Sequence, residues 1–277
     1  MNTRKTGARK DVLEFYKKLP FNSTEEPETA AALIKKRNNI EYIYPHPDDF
    51  YAVDSVLEIG CGAGWFSNSI AYYYGTDVSA IDFNPNVIEK AKKTSELLSV
   101  KVQFECADLF KYECEPKDIV ISVGVLHHTS DCLGGVRRCI ELTKNGGGVF
   151  IGLYHKYARK PFLDYFYQLK EENDNEDFLF ERYRELDSRH VDGTQAKSWF
   201  MDQVLHPYET QHTLKELAEI FEETGVELVG TSINHFEPIH NIEDLYHVEE
   251  GLYDEGMDYL NRKEYYPGFF YVLGKKK

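Results

Sequence analysis

Short apolar runs alternate with stretches of helical spacing along most of this chain. Residues 55–59, Ser-Val-Leu-Glu-Ile, stop at Gly60-Cys61-Gly62-Ala63-Gly64, after which Trp65, Phe66, Ile70 and Ala71 recur at helical spacing as far as Gly75. The pattern predicts a strand, a tight turn and a helix. A second apolar run, 78–81, closes at Asp82, and Pro85, favourable in a first turn, leads into a helix over 86–98. Residues 100–105 alternate apolar and polar, 119–123 are almost wholly apolar, and 149–153 follow the cluster Gly146-Gly147-Gly148. These are three more strands, with a helix around 132–144 before the last. Strands and helices in that order, joined by right-handed crossovers, make a parallel, doubly wound sheet, and such sheets bind ligands at the carboxyl ends of their strands.

The rhythm breaks between Tyr154 and His206, where Phe162, Tyr165, Phe166, Tyr167, Phe178, Phe180 and Tyr183 stand among many acids. This stretch reads as a helical cap. Its aromatic cluster fits a cap core best, with a homo-oligomer contact or an acceptor pocket as the other readings. Thr213-Leu-Lys-Glu216 is a capping box opening a helix to Thr224, Gly225 ends it, and strands follow over 226–233 and 269–273. Two helices are expected ahead of the first strand, over 9–18 and 27–37. The expected organisation is an N-terminal helical lid (1–50), a Rossmann-like core (51–153), an aromatic-rich helical cap (154–212) and the rest of the core sheet (213–277). The fold class is α/β: a seven-stranded, mostly parallel sheet with helices on both faces.

Charge and cysteine content narrow the function. Lys plus Arg number 32 against 47 Asp plus Glu, a formal net charge of −15, so the mean field repels phosphate backbones and anionic membrane surfaces. Nucleic acid is disfavoured as a partner. The five cysteines, Cys61, Cys106, Cys114, Cys132 and Cys139, form no C-x-x-C pair, which speaks against a disulfide framework and a zinc site and for a reducing, cytoplasmic setting. No run of about 18 apolar residues and no export signal is present, so a membrane span is not expected.

The glycine loop carries the chemistry. Without Cβ atoms the backbone turns tightly and approaches a ligand closely. The dinucleotide fingerprint G-x-G-x-x-G fails, because Trp65 stands where its last glycine belongs, and no Gly-Lys-Ser/Thr phosphate loop is present. Val56-Leu57-Glu58-Ile59-Gly60-Cys61-Gly62-Ala63-Gly64 instead resembles the first motif of class I S-adenosylmethionine-dependent methyltransferases of the bacterial small-molecule type. Asp82, followed by Phe83, ends the second strand twenty-two residues after Gly60, where the family places an acid on the ribose hydroxyls. Cys106-Ala107-Asp108-Leu109-Phe110 resembles the adenine segment, in which the Asp accepts from the exocyclic amine and apolar neighbours sandwich the ring. The stretch from Ser122 through Val123, Gly124, His127 and His128 to Thr129 is similar to the one beside the methionine moiety, and Asn145-Gly146-Gly147-Gly148 to the turn before the fifth strand. The resemblance implies S-adenosylmethionine as cofactor, held by Glu58, Gly60, Cys61, Gly62, Gly64, Asp82, Phe83, Asp108, Leu109, Phe110, Val123 and Gly124. It also implies that residues 226–273 supply the family's closing antiparallel hairpin. Asp82 has an ordinary alternative as cap of the 86–98 helix.

Methyl transfer is an in-line displacement in which the protein chiefly orients the acceptor, while a nearby side chain can take a proton from it. His127 and His128 follow the fourth strand, and His128 is the preferred base. Tyr154 leaves the fifth strand at the same rim, while Glu209 and His212 precede a capped helix whose N-terminus favours an anion such as an acceptor carboxylate. A metal reading of His206, Glu209 and His212 fails, because the H-x-x-E-x-x-H spacing does not bring them to one helical face and Pro207 interrupts the segment. No metal is expected. The reading is a methyltransferase acting on an O or N atom of a small molecule; the alternatives are a tRNA- or protein-modifying methyltransferase and a non-catalytic cofactor-binding module. Phe15, Tyr16 and Phe21 are expected to form a lid.

Overall fold

The computed structural model describes residues 11–12, 14–15, 26–189 and 193–277. Most of the helix expected over 9–18, together with Tyr16 and Phe21, lies outside them. In chain order the elements are α1 (Pro27–Lys36), β1 (Ser55–Ile59), α2 (Trp65–Tyr74), β2 (Asp77–Asp82), α3 (Pro85–Leu98), β3 (Val102–Cys106) and β4 (Lys117–Val123). Then come α4 (Cys132–Glu141), β5 (Thr143–Tyr154), α5 (Lys156–Glu172), α6 (Glu176–Leu186) and α7 (Gly193–Val204). The chain closes with α8 (Leu214–Glu223), β6 (Val226–Thr231), α9 (Ile242–Asn261) and β7 (Phe269–Lys276).

Seven strands form one sheet in the order β3-β2-β1-β4-β5-β7-β6. The first five run parallel, and β7 lies antiparallel between β5 and β6. Successive β1 residues show why both faces are covered. Val56 and Leu57 point to opposite sides, and both are fully buried. Leu57, Val120 and Ile151 pack with Val136, Ile140, Leu217 and Phe221 of α4 and α8 on one face. Val56, Ile121 and Phe150 pack with Ile70, Tyr44 and Phe50 on the other.

The expected cap is α5 to α7, and Phe162, Phe166, Leu179, Tyr183 and Phe200 form its own buried core. Tyr167, by contrast, is exposed. β6 and β7 are antiparallel but not a hairpin, because the twenty-residue helix α9 intervenes and packs along α5. A buried pair anchors it. His155 Nδ1 accepts from the amides of Tyr157 and Ala158 at 3.3 Å, so its proton sits on Nε2 and is donated to Glu249 Oε2 at 2.9 Å. The same carboxylate oxygen accepts from the Leu214 amide at 2.7 Å, joining α5, α8 and α9 at one point.

Candidate active site

β1 and β4 are neighbours, and the chain leaves them toward opposite edges of the sheet, which opens a crevice at their carboxyl ends. A cavity of about 760 Å³ occupies that crevice. One end is lined by Glu58, Gly60, Cys61 and Gly62, by Asp82 and Phe83, by Asp108, Leu109 and Phe110, and by Val123 and Gly124. Eleven of the twelve residues expected at the cofactor thus meet at one wall. Gly64 does not line the cavity. A Cβ there would come within 2.8 Å of Ala91 Cβ and Asn68 Nδ2, so this glycine lets α2 pack against α3. At Gly62, with φ +51°, a Cβ would meet nothing within 4 Å, and the bare backbone faces open space as a cradle needs.

The Asp82 carboxylate links that turn to the second strand. Oδ2 accepts from the Gly62 amide at 3.0 Å and Oδ1 from the Asn84 amide at 2.8 Å, which leaves lone pairs on both oxygens for the cavity. The cap of α3 is Asn84, not Asp82: the Asn84 side chain accepts from the Asn86 amide at 3.1 Å. Burial pushes the Asp82 pKa up against these amide bonds. Asp108 Oδ1 accepts from the Phe110 amide at 3.1 Å, which fixes the turn after β3.

Glu58 is buried, with Oε2 accepting from the Ser67 amide at 2.8 Å near the start of α2. Burial first, and repulsion from Asp82 as well, push its pKa up to about 8. The folded protein then binds the Glu58 proton more tightly than the unfolded chain, so this group's contribution falls as pH rises from the unfolded value of 4.5 to about 8. Cofactor-free Glu58→Gln should therefore gain stability relative to the parent by up to about 1.4 kcal/mol per pH unit across that window. Urea unfolding at pH 5, 6.5 and 8 checks this, and a constant difference between the two proteins would contradict it.

At the other end of the cavity stand His128 and Tyr154, with Arg189, Trp199, Asp202 and Gln203 from the cap. The structure does not bring His127, Glu209 and His212 to that wall. His127 lies behind it, 1% exposed, with its ring centroid 4.3 Å from both His128 and Tyr154. Neither of its ring nitrogens has a hydrogen-bond partner among the described residues, and burial drives its pKa well below the ordinary value. Its backbone carbonyl holds the 206–213 strap, accepting from the Thr210 amide at 2.9 Å. Glu209 is taken up by Arg159, whose Nε and Nη2 each donate to one carboxylate oxygen at 3.0 Å. His212 pairs with the end of β5, its amide donating to the Tyr154 carbonyl at 2.9 Å. An anion at the α8 N-terminus finds the place filled by the Thr213–Glu216 capping box and the Glu249 carboxylate.

Among the described residues, one group of potential metal ligands is close-set: His128, Asp202 and His206, with ligand atoms within 4.8 Å of one another. The Tyr208 amide donates to His206 Nδ1 at 3.1 Å, which puts the neutral ring's proton on Nε2 and leaves no lone pair there for a cation. The two ring centroids lie 3.7 Å apart with the ring planes tilted by 31°. This is hydrogen-bonding geometry. His128 Nδ1 donates to the Tyr208 carbonyl at 2.9 Å, so the backbone of one residue engages both rings. Burial lowers the His128 pKa to about 4 and that of His206 to about 3, which keeps both rings neutral.

A glycine turn after the first strand, an acid after the second and an Asp-Leu-Phe turn after the third, all facing one cavity of a doubly wound sheet, define a nucleoside-binding transferase. Residues 56–147 match the methyltransferase domain family. The chain is similar to ubiquinone biosynthesis O-methyltransferase of Coxiella burnetii (strain Dugway 5J108-111), 24% identical over 192 residues, which cover 69% of this chain and 70% of that protein. The protein of the same name from Xanthomonas campestris pv. campestris (strain B100) is 32% identical over 104 residues, but these cover only 36% of this chain and 43% of that one. The solved structure of the plantazolicin methyltransferase BpumL in complex with SAH shares the fold, with a TM-score of 0.52 at 16% identity over 96% of this chain and 95% of that one. These matches support a class I S-adenosylmethionine-dependent methyltransferase. It is an enzyme, and its cofactor is S-adenosylmethionine. The open backbone at Gly62 and the two cavity-facing carboxylates, Asp82 and Asp108, fit that cofactor.

Proposed function

We propose that the enzyme methylates an oxygen or nitrogen atom of a small-molecule acceptor. The observation that carries this reading is the continuity of the cavity from the Gly60–Gly62 turn, Asp82 and Asp108 to the polar wall of His128, Tyr154 and Asp202. The curated relatives are O-methyltransferases of ubiquinone biosynthesis, which supports a small acceptor. When bound, S-adenosylmethionine supplies a methyl group on a sulfonium that an acceptor lone pair displaces in line. Asp82 holds the ribose hydroxyls, Asp108 accepts from the adenine amine, and Leu109 and Phe110 enclose the ring. Val123 and Gly124 border the methionyl end. His128, its ring oriented by the bond from Nδ1 to the Tyr208 carbonyl, takes the acceptor's proton.

Two described residues of the N-terminal segment stand at this site. Val12 lines the cavity, and the Phe15 ring lies 5.0 Å from that of His206, which supports a water-excluding lid. Five free cysteines support a reducing, cytoplasmic location. No helix among the described residues is long and apolar enough to cross a membrane.

Calorimetric titration with S-adenosylmethionine, S-adenosylhomocysteine and NAD as control tests the cofactor half of this reading. A screen with a labelled methyl group tests the acceptor half. Binding of the first two ligands without transfer to any small molecule would favour a non-catalytic module. Asp82→Ala should weaken S-adenosylhomocysteine by about 1–3 kcal/mol, since two ribose hydroxyls lose their acceptor. Unchanged affinity in a variant with parental circular dichroism would remove Asp82 from the ribose site.

A further inference from the structure

The acceptor wall carries a cation that the reading above does not use. Arg189, which follows α6 in the cap, lines the cavity together with Trp199 and Tyr265. Its guanidinium carbon lies 4.3 Å from the Tyr265 ring centroid and 5.3 Å from that of Trp199, so the charged group itself, and not only its stem, stands against that wall. One edge of the guanidinium is fixed. Nε donates to Asp187 Oδ1 at 2.7 Å and Nη2 to Asp187 Oδ2 at 2.8 Å, a two-point pair. Asp187 is held in turn, because the Tyr183 hydroxyl donates to Oδ2 at 2.8 Å and the Arg189 amide to Oδ1 at 3.2 Å.

The two partners of this pair are buried very unequally: the Asp187 side chain is 0% exposed and that of Arg189 51%. A surface ion pair gains little, and burying one of its charges completely costs desolvation. The buried acid serves instead to orient a guanidinium that stays accessible. Asp187 does not line the cavity, so the edge it binds is not the part of Arg189 that borders it. Among the described residues none accepts from Nη1. Asp187 takes the Nε–H and one Nη2–H, which leaves both hydrogens of Nη1 and the second of Nη2. One from each nitrogen forms the end-on fork that matches the two oxygens of a carboxylate.

We propose that the acceptor carries a carboxylate, seated end-on at Arg189 with its apolar body against Tyr265 and Trp199, and that Asp187 is the positioning residue that holds Arg189 for it. The inference rests on the methyltransfer reading above and narrows its acceptor. The carboxylate is the anchor of the molecule, and the anchor decides which other atom meets the methyl group. An anion has no place at the α8 N-terminus, where the capping box and Glu249 fill the site, and it finds its cation on the cap instead.

The test measures the binding of benzoate and benzamide, alike in shape and different in charge, to the full chain saturated with S-adenosylhomocysteine, by ligand-observed NMR titration. Benzoate should bind at least about tenfold more tightly than benzamide. Arg189→Gln should bring the two probes level with S-adenosylhomocysteine affinity retained, and Arg189→Lys, which keeps the charge without the planar fork, should lose most of the preference. Asp187→Asn, which weakens the two-point hold, should lower benzoate affinity and leave that of benzamide as it was; a role of Asp187 in stability alone would not separate the probes. Equal binding of the two probes, no binding of benzoate, or an unchanged preference in Arg189→Gln or Arg189→Lys would overturn the proposal. Failure of the functional reading shows separately, as absent binding of S-adenosylhomocysteine.

Discussion

Glu209→Ala is expected to cost about 3–5 kcal/mol of folding stability, most of what a domain of this kind possesses. The loss comes from what the substitution leaves behind, since Arg159 is 0% exposed and both of its bonds to Glu209 disappear at once. Its charge would be left with neutral partners, the side-chain oxygen and carbonyl of Gln203 and the Pro267 carbonyl. The Tyr154 and Phe162 rings, 4.0 and 4.6 Å from the guanidinium carbon, leave water no room to follow. Burial alone would push the Glu209 pKa up, yet the Arg159 guanidinium holds it below its ordinary value, a sign that the ion pair prevails over desolvation. Denaturant unfolding followed by circular dichroism measures the loss. The double variant Arg159→Met/Glu209→Leu should recover most of it, because replacing both partners leaves no buried charge. A double variant as unstable as the single one would show that the bonds themselves, and not the orphaned charge, carry the effect.

The order of strands and the cofactor end of the site were legible in the sequence because they depend on local signals. Apolar runs closed by glycine or Asp mark β1, β2 and β4, and the residues at those closures are the ones that line the crevice. Helix α9 was not legible. Its sequence from Ile242 to Asn261 is crowded with acids and carries Gly251 and Gly256 in its interior, which lowers intrinsic helix preference. The second glycine is explained only in three dimensions: a Cβ there would lie 3.0 Å from the Ala158 carbonyl and from Pro161 Cγ, so it permits the close crossing of α5.

At the acceptor end, Glu209 and His212 were read as ligand-facing because charged residues before a helix suggest an anion site. Glu209 turns inward because Arg159, fifty positions before it, supplies a charge that proximity in sequence does not reveal, and the His212 ring is held by Thr210 and Glu216. The only local hint was on α7, where Asp202 and Gln203 are polar residues buried next to Phe200. Polar side chains on a buried helical face need partners, and here the partners are the wall of the site.

His128→Ala is expected to lower kcat by about 10²–10⁴, the range over which a positioned acid–base group contributes, and to leave S-adenosylhomocysteine affinity within about twofold. Its pKa near 4 reflects burial above all, opposed by the Tyr208 carbonyl and the Glu209 charge. So weak a base could not remove a proton from a resting alcohol. It does not have to, because the oxygen loses electron density as the bond to carbon forms, and its proton becomes strongly acidic during the transfer. A low pKa then has a use: the ring stays unprotonated and ready far into the acid range. Since the neutral form is the active one, the acid limb of kcat against pH should lie near 4–5 and not at the ordinary histidine value of 6.5. His128→Gln, similar in size but without a basic nitrogen, should lose rate as His128→Ala does and should lose that limb. Full turnover in either variant would reduce His128 to a side chain that packs between Tyr154 and His206, and would move the proton acceptor to the Asp202 carboxylate on the same wall.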